Sequence, residues 1–430
     1  MITLRTIKNL KRRPPPAVAF LLWRLHFHRV LSRLIARIIL DHNKEKVSSG
    51  KNTSAILTIE KLIFSDDVAA LERHGSKYFF LRYPTFLRLM LLRVMWPEEM
   101  REQGAFYPKR GAYQKLLLRL SGVFGGVLDE IERRAPLHVV ALLTGNIDYS
   151  HDYPWIRALH ARGRKFIVLQ KESVIYSPLY KETRRQVFAR DNFIFEGDAV
   201  LFYNTIAKET YIETGPVTAK QARVTGCPRV DDLLNETFET DSGNFILVAT
   251  FTDPLYKAGG LWDEVVKTIV DDAFLMKKVI FKCKHPLEMA ALQKAFPGIH
   301  AVCGPIQNYF KKNPSLFVCF NSTTGLEAMI LGIPVAVPWW GDGKKLGSLA
   351  LFGEHTRDFH FLSENREAFV HILTDAVQGR QNLGNNANWR RNQAMRDFIE
   401  ARYSLLDGKN CTRTLAAIDD IISGAPLMHK

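Results

Sequence analysis

The sequence predicts an α/β protein with two Rossmann-like domains facing a central cleft, preceded by a basic amphipathic helix. From residue 137, apolar runs alternate with helical or turn segments. HVVALLTG, KFIVLQKE and AVLFYN come first; after a polar interval from Asn235 to Gly243 come FILVATF, KVIFKCK, HAVCG, LFVCF and PVAVP. Continuous apolar strands with helices between them mark parallel sheets covered on both faces. The length of 430 residues exceeds one ordinary core and suits two such domains.

Residues 1–41 are the basic segment. Its first 40 residues hold nine Lys or Arg and no acid, more than half of the chain's net charge of +15. Pro14-Pro15-Pro16 separates a short tail from Ala17–Leu40, an apolar stretch broken by Arg24, Arg29, Arg33 and Arg37. Spacing of four puts three of these arginines on one helical face. The charges exclude a spanning helix, and no clean apolar core leads to a cleavage site. A helix lying on an anionic membrane surface is expected, at the inner face of the cytoplasmic membrane. The competing reading is a helix packed on the protein with its arginines in solvent. Without a basic-aromatic platform, nucleic acid is not an expected partner.

Residues 42–235 form the expected N-terminal, acceptor domain. It opens with a polar linker to Lys51 and the strand AILTI. A Leu- and Arg-rich helical region follows over roughly 79–134, interrupted at Pro84, Pro97 and Pro108. Its stretch FFLRYPTFLRLMLLRVMW reads either as a core helix with snorkelling arginines or as a membrane- or acceptor-facing surface. Residues 236–385 form the expected nucleotide-binding domain. Residues 386–430 are C-terminal helices, for which a return to the first domain is one open course. The five cysteines form no CxxC pair, so neither zinc nor a disulfide framework is signalled. Cys283 and Cys319, inside apolar strands, read as core thiols in a reducing cytoplasm.

Ligands of open parallel sheets bind beyond the carboxyl ends of the strands, and polar residues gather there. Glu172 follows KFIVLQ; Thr225, Gly226 and Arg229 follow ARV; Thr252 follows FILVATF. Lys284, His285 and Pro286 follow KVIFKC, and Ser322, Thr323, Thr324 and Gly325 follow LFVCF. A hydroxyl-rich turn at a helix N-terminus favours an anion. Pro286 holds His285 in extended geometry, which directs its imidazole. A protonated His285 would neutralise a departing phosphate or donate a proton to the leaving oxygen. Together the two strand ends point to a nucleotide-sugar site. Glu172 reads as a general base or as a carboxylate paired with Lys171. Glu327 reads as a helix-capping acid or a ribose ligand. No DxD follows a strand, and Asp66-Asp67 and Asp231-Asp232 are adjacent pairs whose side chains diverge, so no metal is expected. Neither GxGxxG nor a P-loop is present, so no dinucleotide cofactor is expected either.

At these residues the chain resembles the GT-B glycosyltransferases of bacterial surface-polysaccharide synthesis. The likeness is nearest to those using cytidine-activated donors: capsule Kdo transferases, sialyl- and polysialyltransferases and, more distantly, CDP-glycerol glycerophosphotransferases. His285-Pro286 is similar to that group's His-Pro motif, and Ser322-Thr323 to its Ser-Ser/Thr motif, both of which contact the donor phosphate. The segment from Val224 to Asp231 is similar to its VTGNPRfD pattern, and GLEAMILGIPVAV to a broader GT-B and epimerase pattern. The family's acidic pair plus Gly, which supplies the base, is matched only by Lys171-Glu172-Ser173. The resemblance covers roughly residues 137–345. It implies metal-independent transfer from a nucleotide sugar, CMP-linked in kind, to a glycan or lipid-linked acceptor. The implied alternatives are glycerophosphate transfer, UDP-sugar 2-epimerisation, or an inactive scaffold of a polysaccharide assembly complex.

Overall fold

The computed structural model describes residues 16–47, 53–60, 62–97, 111–147, 150–171, 178–190, 193–236, 243–251, 259–347, 350–379, 389–390 and 392–424. The chain divides into two compact units. One comprises Met1–Ser173, Thr183–Arg229 and Lys409–Lys430, the other Val174–Glu182 and Val230–Gly408.

Each unit holds a six-stranded sheet whose pairs are all parallel. The first unit contributes β1 (Thr53–Ile59), β2 (Phe79–Tyr83), β3 (Leu137–Thr144), β4 (Lys165–Gln170), β5 (Ala199–Phe202) and β6 (Ala222–Val224). Their order is β2-β1-β3-β4-β5-β6. The second contributes β7 (Gly243–Ala249), β8 (Val279–Lys282), β9 (His300–Val302), β10 (Pro314–Val318), β11 (Val335–Pro338) and β12 (Phe361–Ser363). Their order is β12-β11-β10-β7-β8-β9. This is the doubly wound order of dinucleotide-binding sheets, in which the winding reverses between the first and fourth strands. In β7 and β10, successive residues such as Leu247 and Val248, or Phe317 and Val318, are all fully buried. Neighbouring residues of a strand point to opposite faces, so both faces are covered. The sheets are the two Rossmann-like layers that the alternating apolar runs predict.

Three elements differ from the sequence-based expectation. Phe79–Tyr83, read as helical, is the edge strand β2, and the helix starts only at Thr85. Pro84 explains this: it keeps the residue before it out of the helical region, and an aromatic-rich run then joins the sheet. The short strand β12, absent from the sequence reading, adds the edge beyond β11. The expected N-terminal helix is two helices, Pro16–Arg24 and His28–His42, separated by a turn in which His26 has φ 59°. Arg29, Arg33 and Arg37 are exposed on the second helix. Its apolar stripe, including Leu31, Ile35 and Ile39, is buried within the first unit, where the helix packs on Gly111–Arg134. The two helices approach closely. Ser32 Oγ donates to the Val123 carbonyl at 2.8 Å, and a Cβ on Gly126 would lie 2.7 Å from Ser32 Oγ.

A buried ion pair anchors the first unit. Asp67, on the helix Leu62–Arg73, is fully buried. It accepts from Arg229 Nη1 at 2.9 Å on each oxygen and from the Tyr203 hydroxyl at 2.6 Å. Burial, reinforced by the Asp67 charge, pushes the Tyr203 phenol well above its ordinary pKa, so it remains a donor. Removing one partner of such a pair typically costs about 3–5 kcal/mol, because the other charge stays buried. Asp67→Ala should therefore lower the unfolding free energy by roughly that amount in urea titration. Asp67→Asn, which keeps an acceptor for Tyr203, should cost less.

Candidate functional site at the carboxyl edge of the second sheet

The reversal of winding places β10 beside β7, with β8 on β7's other side. The carboxyl ends of β8, β7 and β10 therefore lie in a row. At ordinary strand spacing, the β8 and β10 ends are about 10 Å apart.

At the β10 end the chain turns sharply into the helix Thr323–Ile330. Asn321 takes the left-handed conformation, φ 47°, which Asn tolerates better than most residues. Its Oδ1 accepts from the Leu351 amide at 2.6 Å. Ser322 is the N-cap: its Oγ lies 3.3 Å from the Thr324 amide nitrogen and 2.7 Å from Thr324 Oγ1. Ser322, Thr323 and Thr324 are half-buried, and the helix beyond them is buried. Gly325 sets the distance of this helix from its surroundings. A Cβ there would meet Phe352 Cε2 at 2.6 Å and Cys319 Sγ at 2.9 Å. The far end is held by Trp389, whose indole donates to the Ile330 carbonyl at 2.7 Å. Glu327 is buried and accepts from the Tyr403 hydroxyl at 2.8 Å.

At the β8 end, His285 is the extended N-cap of the helix Pro286–Ala295, with φ −132° and ψ 149° and no side-chain capping bond. Its carbonyl accepts the first helical bond, from Met289. Pro286 occupies the first turn, where its missing N–H loses nothing. Glu288 reaches back to the Lys284 amide at 2.7 Å. Lys284, His285 and Pro286 are exposed. Lys282 is buried at the strand end, and its ammonium donates to the Cys283 carbonyl at 2.7 Å. Burial lowers its pKa. Burial also pushes the Cys283 thiol up to about 12 and raises that of Cys319, so neither supplies a thiolate near neutral pH.

The structure thus gathers Lys284, His285, Pro286, Ser322, Thr323, Thr324 and Gly325 along one sheet edge. Thr225, Gly226 and Arg229 belong to the first unit. There Thr225 is buried, Gly226 has φ 83°, and Arg229 holds Asp67. Glu172 and Thr252 lie outside the described residues; β4 leads to the first at Gln170, and β7 to the second at Phe251. Sequence reasoning missed Lys282, Asn321, Tyr403 and the segment around Leu351 and Phe352. A lysine within an otherwise apolar strand and an Asn just before the cap were signals for the first two. The others are distant in sequence and left none.

The segment that carries Leu351 and Phe352 runs on to a buried histidine. His360 packs edge-on to Phe352, with ring centroids 5.4 Å apart, and its Nε2 lies 2.9 Å from Thr356 Oγ1. Burial lowers its pKa from 6.5 to about 4.

No protein-family model and no curated protein matches the chain. Several solved structures resemble it in the course of the backbone. A putative UDP-N-acetylglucosamine 2-epimerase from Listeria monocytogenes is 15% identical over 88% of this chain and 98% of its own, with a TM-score of 0.45. A glycosyltransferase from Rickettsia africae is 13% identical over 87% of this chain and 100% of its own, with a TM-score of 0.46. The wall teichoic acid polymerase TagF is 10% identical over 95% of this chain and 98% of its own, with a TM-score of 0.46. The fold assignment rests on the two sheets themselves.

Two outcomes follow from this packing. Gly325→Ala should destabilise the protein by about 1–3 kcal/mol, the usual cost of overpacking, as read by urea titration. His360 stays neutral in the folded state at pH values where the unfolded chain takes up a proton. Its stabilising contribution is complete above pH 6.5 and falls as the pH drops toward about 4. The loss should reach about 3 kcal/mol. His360→Phe should flatten that part of the stability-pH profile.

Proposed function

We propose that the chain is a metal-independent glycosyltransferase of the GT-B kind, which uses a nucleotide sugar bound at the carboxyl edge of the second sheet. The observation that carries this reading is the placing of two helix N-terminal turns on either side of the β7 end, where the winding reverses. One offers Ser322, Thr323 and Thr324, the other Lys284 and His285. In doubly wound sheets this is where ligands bind. The helix Thr323–Ile330 directs its positive dipole end toward a bound phosphate, and the hydroxyls of the turn supply further hydrogen bonds. His285, with no capping bond to its own helix, is placed to donate to the phosphate as the glycosidic bond breaks. Glu172 takes the proton of the attacking acceptor hydroxyl. The donor is CMP-linked, as the His-Pro and Ser-Thr motifs favour. The acceptor is a surface-polysaccharide or lipid-linked glycan, met at the inner face of the cytoplasmic membrane.

Thermal unfolding with CMP, CDP, UDP and GDP tests the site. A ligand at a hundred times its Kd stabilises the fold by about 2.7 kcal/mol. CMP should give the largest rise in Tm, and His285→Ala should remove most of it. In transfer assays His285→Ala should lower turnover by about 10²–10³-fold, the usual cost of losing one preorganised donor, while its melting curve without ligand stays near wild type. Chelation by EDTA should leave turnover unchanged. Preference for CDP would move the reading to glycerophosphate transfer, and preference for UDP to a hexosyltransferase or epimerase. A protein indifferent to all four nucleotides would overturn the phosphate site.

A further inference from the structure

The first unit leaves a concentrated group of apolar side chains exposed. The helix Pro16–Arg24 buries only Ala19 and Trp23, while Phe20 and Leu21 are exposed. Beyond it, Leu25 and Phe27 are 54% and 52% exposed on either side of His26. Against this helix packs Thr85–Met95, which buries Leu87, Leu91 and Met95 but leaves Phe86 and Leu89 exposed. Arg119 ties in a third helix, Gly111–Arg134. Its guanidinium stacks 3.6 Å over the Trp23 ring, donates to the Trp23 carbonyl, and lies 2.8 Å from His28 Nε2. Its neighbour Leu118 is 62% exposed. Val18 and Val30, on the same two N-terminal helices, are exposed as well, and the remaining exposed large apolar residues in the described structure, Leu179, Ile194, Phe274 and Leu287, are scattered along the chain.

Among the described residues, the three helices of this face are rich in cations, although Arg37 pairs with Asp41 at 3.6 Å. The segments 16–40, 85–97 and 111–128 contain no Asp or Glu. They do carry exposed Arg24, Arg29, Arg33, Arg37, Arg93 and Lys115. A contiguous apolar patch marks an interaction site, and the cationic surround selects the partner. A second copy docked face to face would bring like charges together. An anionic lipid surface meets both requirements, because apolar side chains enter the acyl boundary while cations meet the phosphates.

We propose that this three-helix face docks onto an anionic phospholipid bilayer. Phe20, Leu21, Leu25 and Phe27 enter the boundary between headgroups and acyl chains, and the surrounding arginines bind lipid phosphates. The inference deepens the membrane part of the preceding reading and does not depend on its donor chemistry. It also differs from the sequence-based expectation. The apolar stripe of His28–His42 is inside the protein, and the residues that enter the lipid come from the helix Pro16–Arg24 and the turn that follows it.

The test is co-sedimentation of the full chain with phosphatidylcholine vesicles, with and without phosphatidylglycerol. Binding is expected only with the anionic lipid and should weaken as salt is raised. Phe20→Glu combined with Leu25→Glu should cut binding by about tenfold or more, whereas Ile194→Glu, at an exposed apolar residue outside this face, should leave it unchanged. Melting curves and nucleotide-induced stabilisation of each variant show that the fold and the donor site persist. They also separate a failure of this proposal from a failure of the nucleotide reading. Leu21→Trp supplies an independent readout, because its fluorescence should be quenched by brominated acyl chains. The proposal is overturned if the wild-type chain stays in the supernatant, if the double variant binds as well as wild type, or if Leu21→Trp is not quenched. It is equally overturned if the face proves to join two copies, as a dimer that the double variant dissociates and that binds no vesicles.

Discussion

The parallel pairing of β10 with β7 is the constraint on which the second unit depends. Leu316, Phe317 and Val318 align with Ile246, Leu247 and Val248, all buried. The strands between them in sequence are laid down on the far side of β7, so the chain must cross back before β10 can pair. That crossing reverses the winding and leaves the carboxyl end of β7 flanked by two strand ends. Both flanking strands lead into helices whose first turns face the same edge. A slip of one residue in this register would exchange the faces of every β10 side chain and misplace the turn that follows.

Close packing then fixes the position of the helix at this edge. Gly325 lets the helix Thr323–Ile330 sit against Phe352 and Cys319, and Trp389 and Tyr403 hold it further along. Neutral groups do much of this. The buried thiols and His360 are kept uncharged by the same desolvation. The first unit does the reverse and spends a buried ion pair, Asp67 with Arg229, on its anchor. This gives Arg229 a structural partner within its own unit, although its sequence neighbourhood, Thr225 to Arg229, reads like a site.

Most strands were legible because a parallel strand buried on both faces is a continuous apolar run, and ten of the twelve strands fall on such runs. The exceptions have physical causes. Phe79–Tyr83 lies beside the Leu- and Arg-rich helix Thr85–Met95 and shares its apolar and basic composition, so it reads as part of that helical region even though Pro84 interrupts it. β12 spans only Phe361–Ser363, too short for a period to show. The N-terminal helix was legible as helical and basic. Which of its apolar residues face protein depends on the helix Gly111–Arg134, some 90 residues away in sequence.

What the sequence by itself determined was local: apolar runs that must be strands, prolines and capping residues that begin helices, and a basic, acid-free N-terminus. These follow from backbone sterics, hydrogen bonding and the composition of each segment, which need no distant partner. Strand order, the point where the winding reverses, and the contacts of Asn321 with Leu351, Gly325 with Phe352 and Asp67 with Arg229 were decided only by the tertiary structure. They are pairings between residues far apart in the chain. Their choice depends on which arrangement buries both faces of each sheet at once, a condition that no single segment contains.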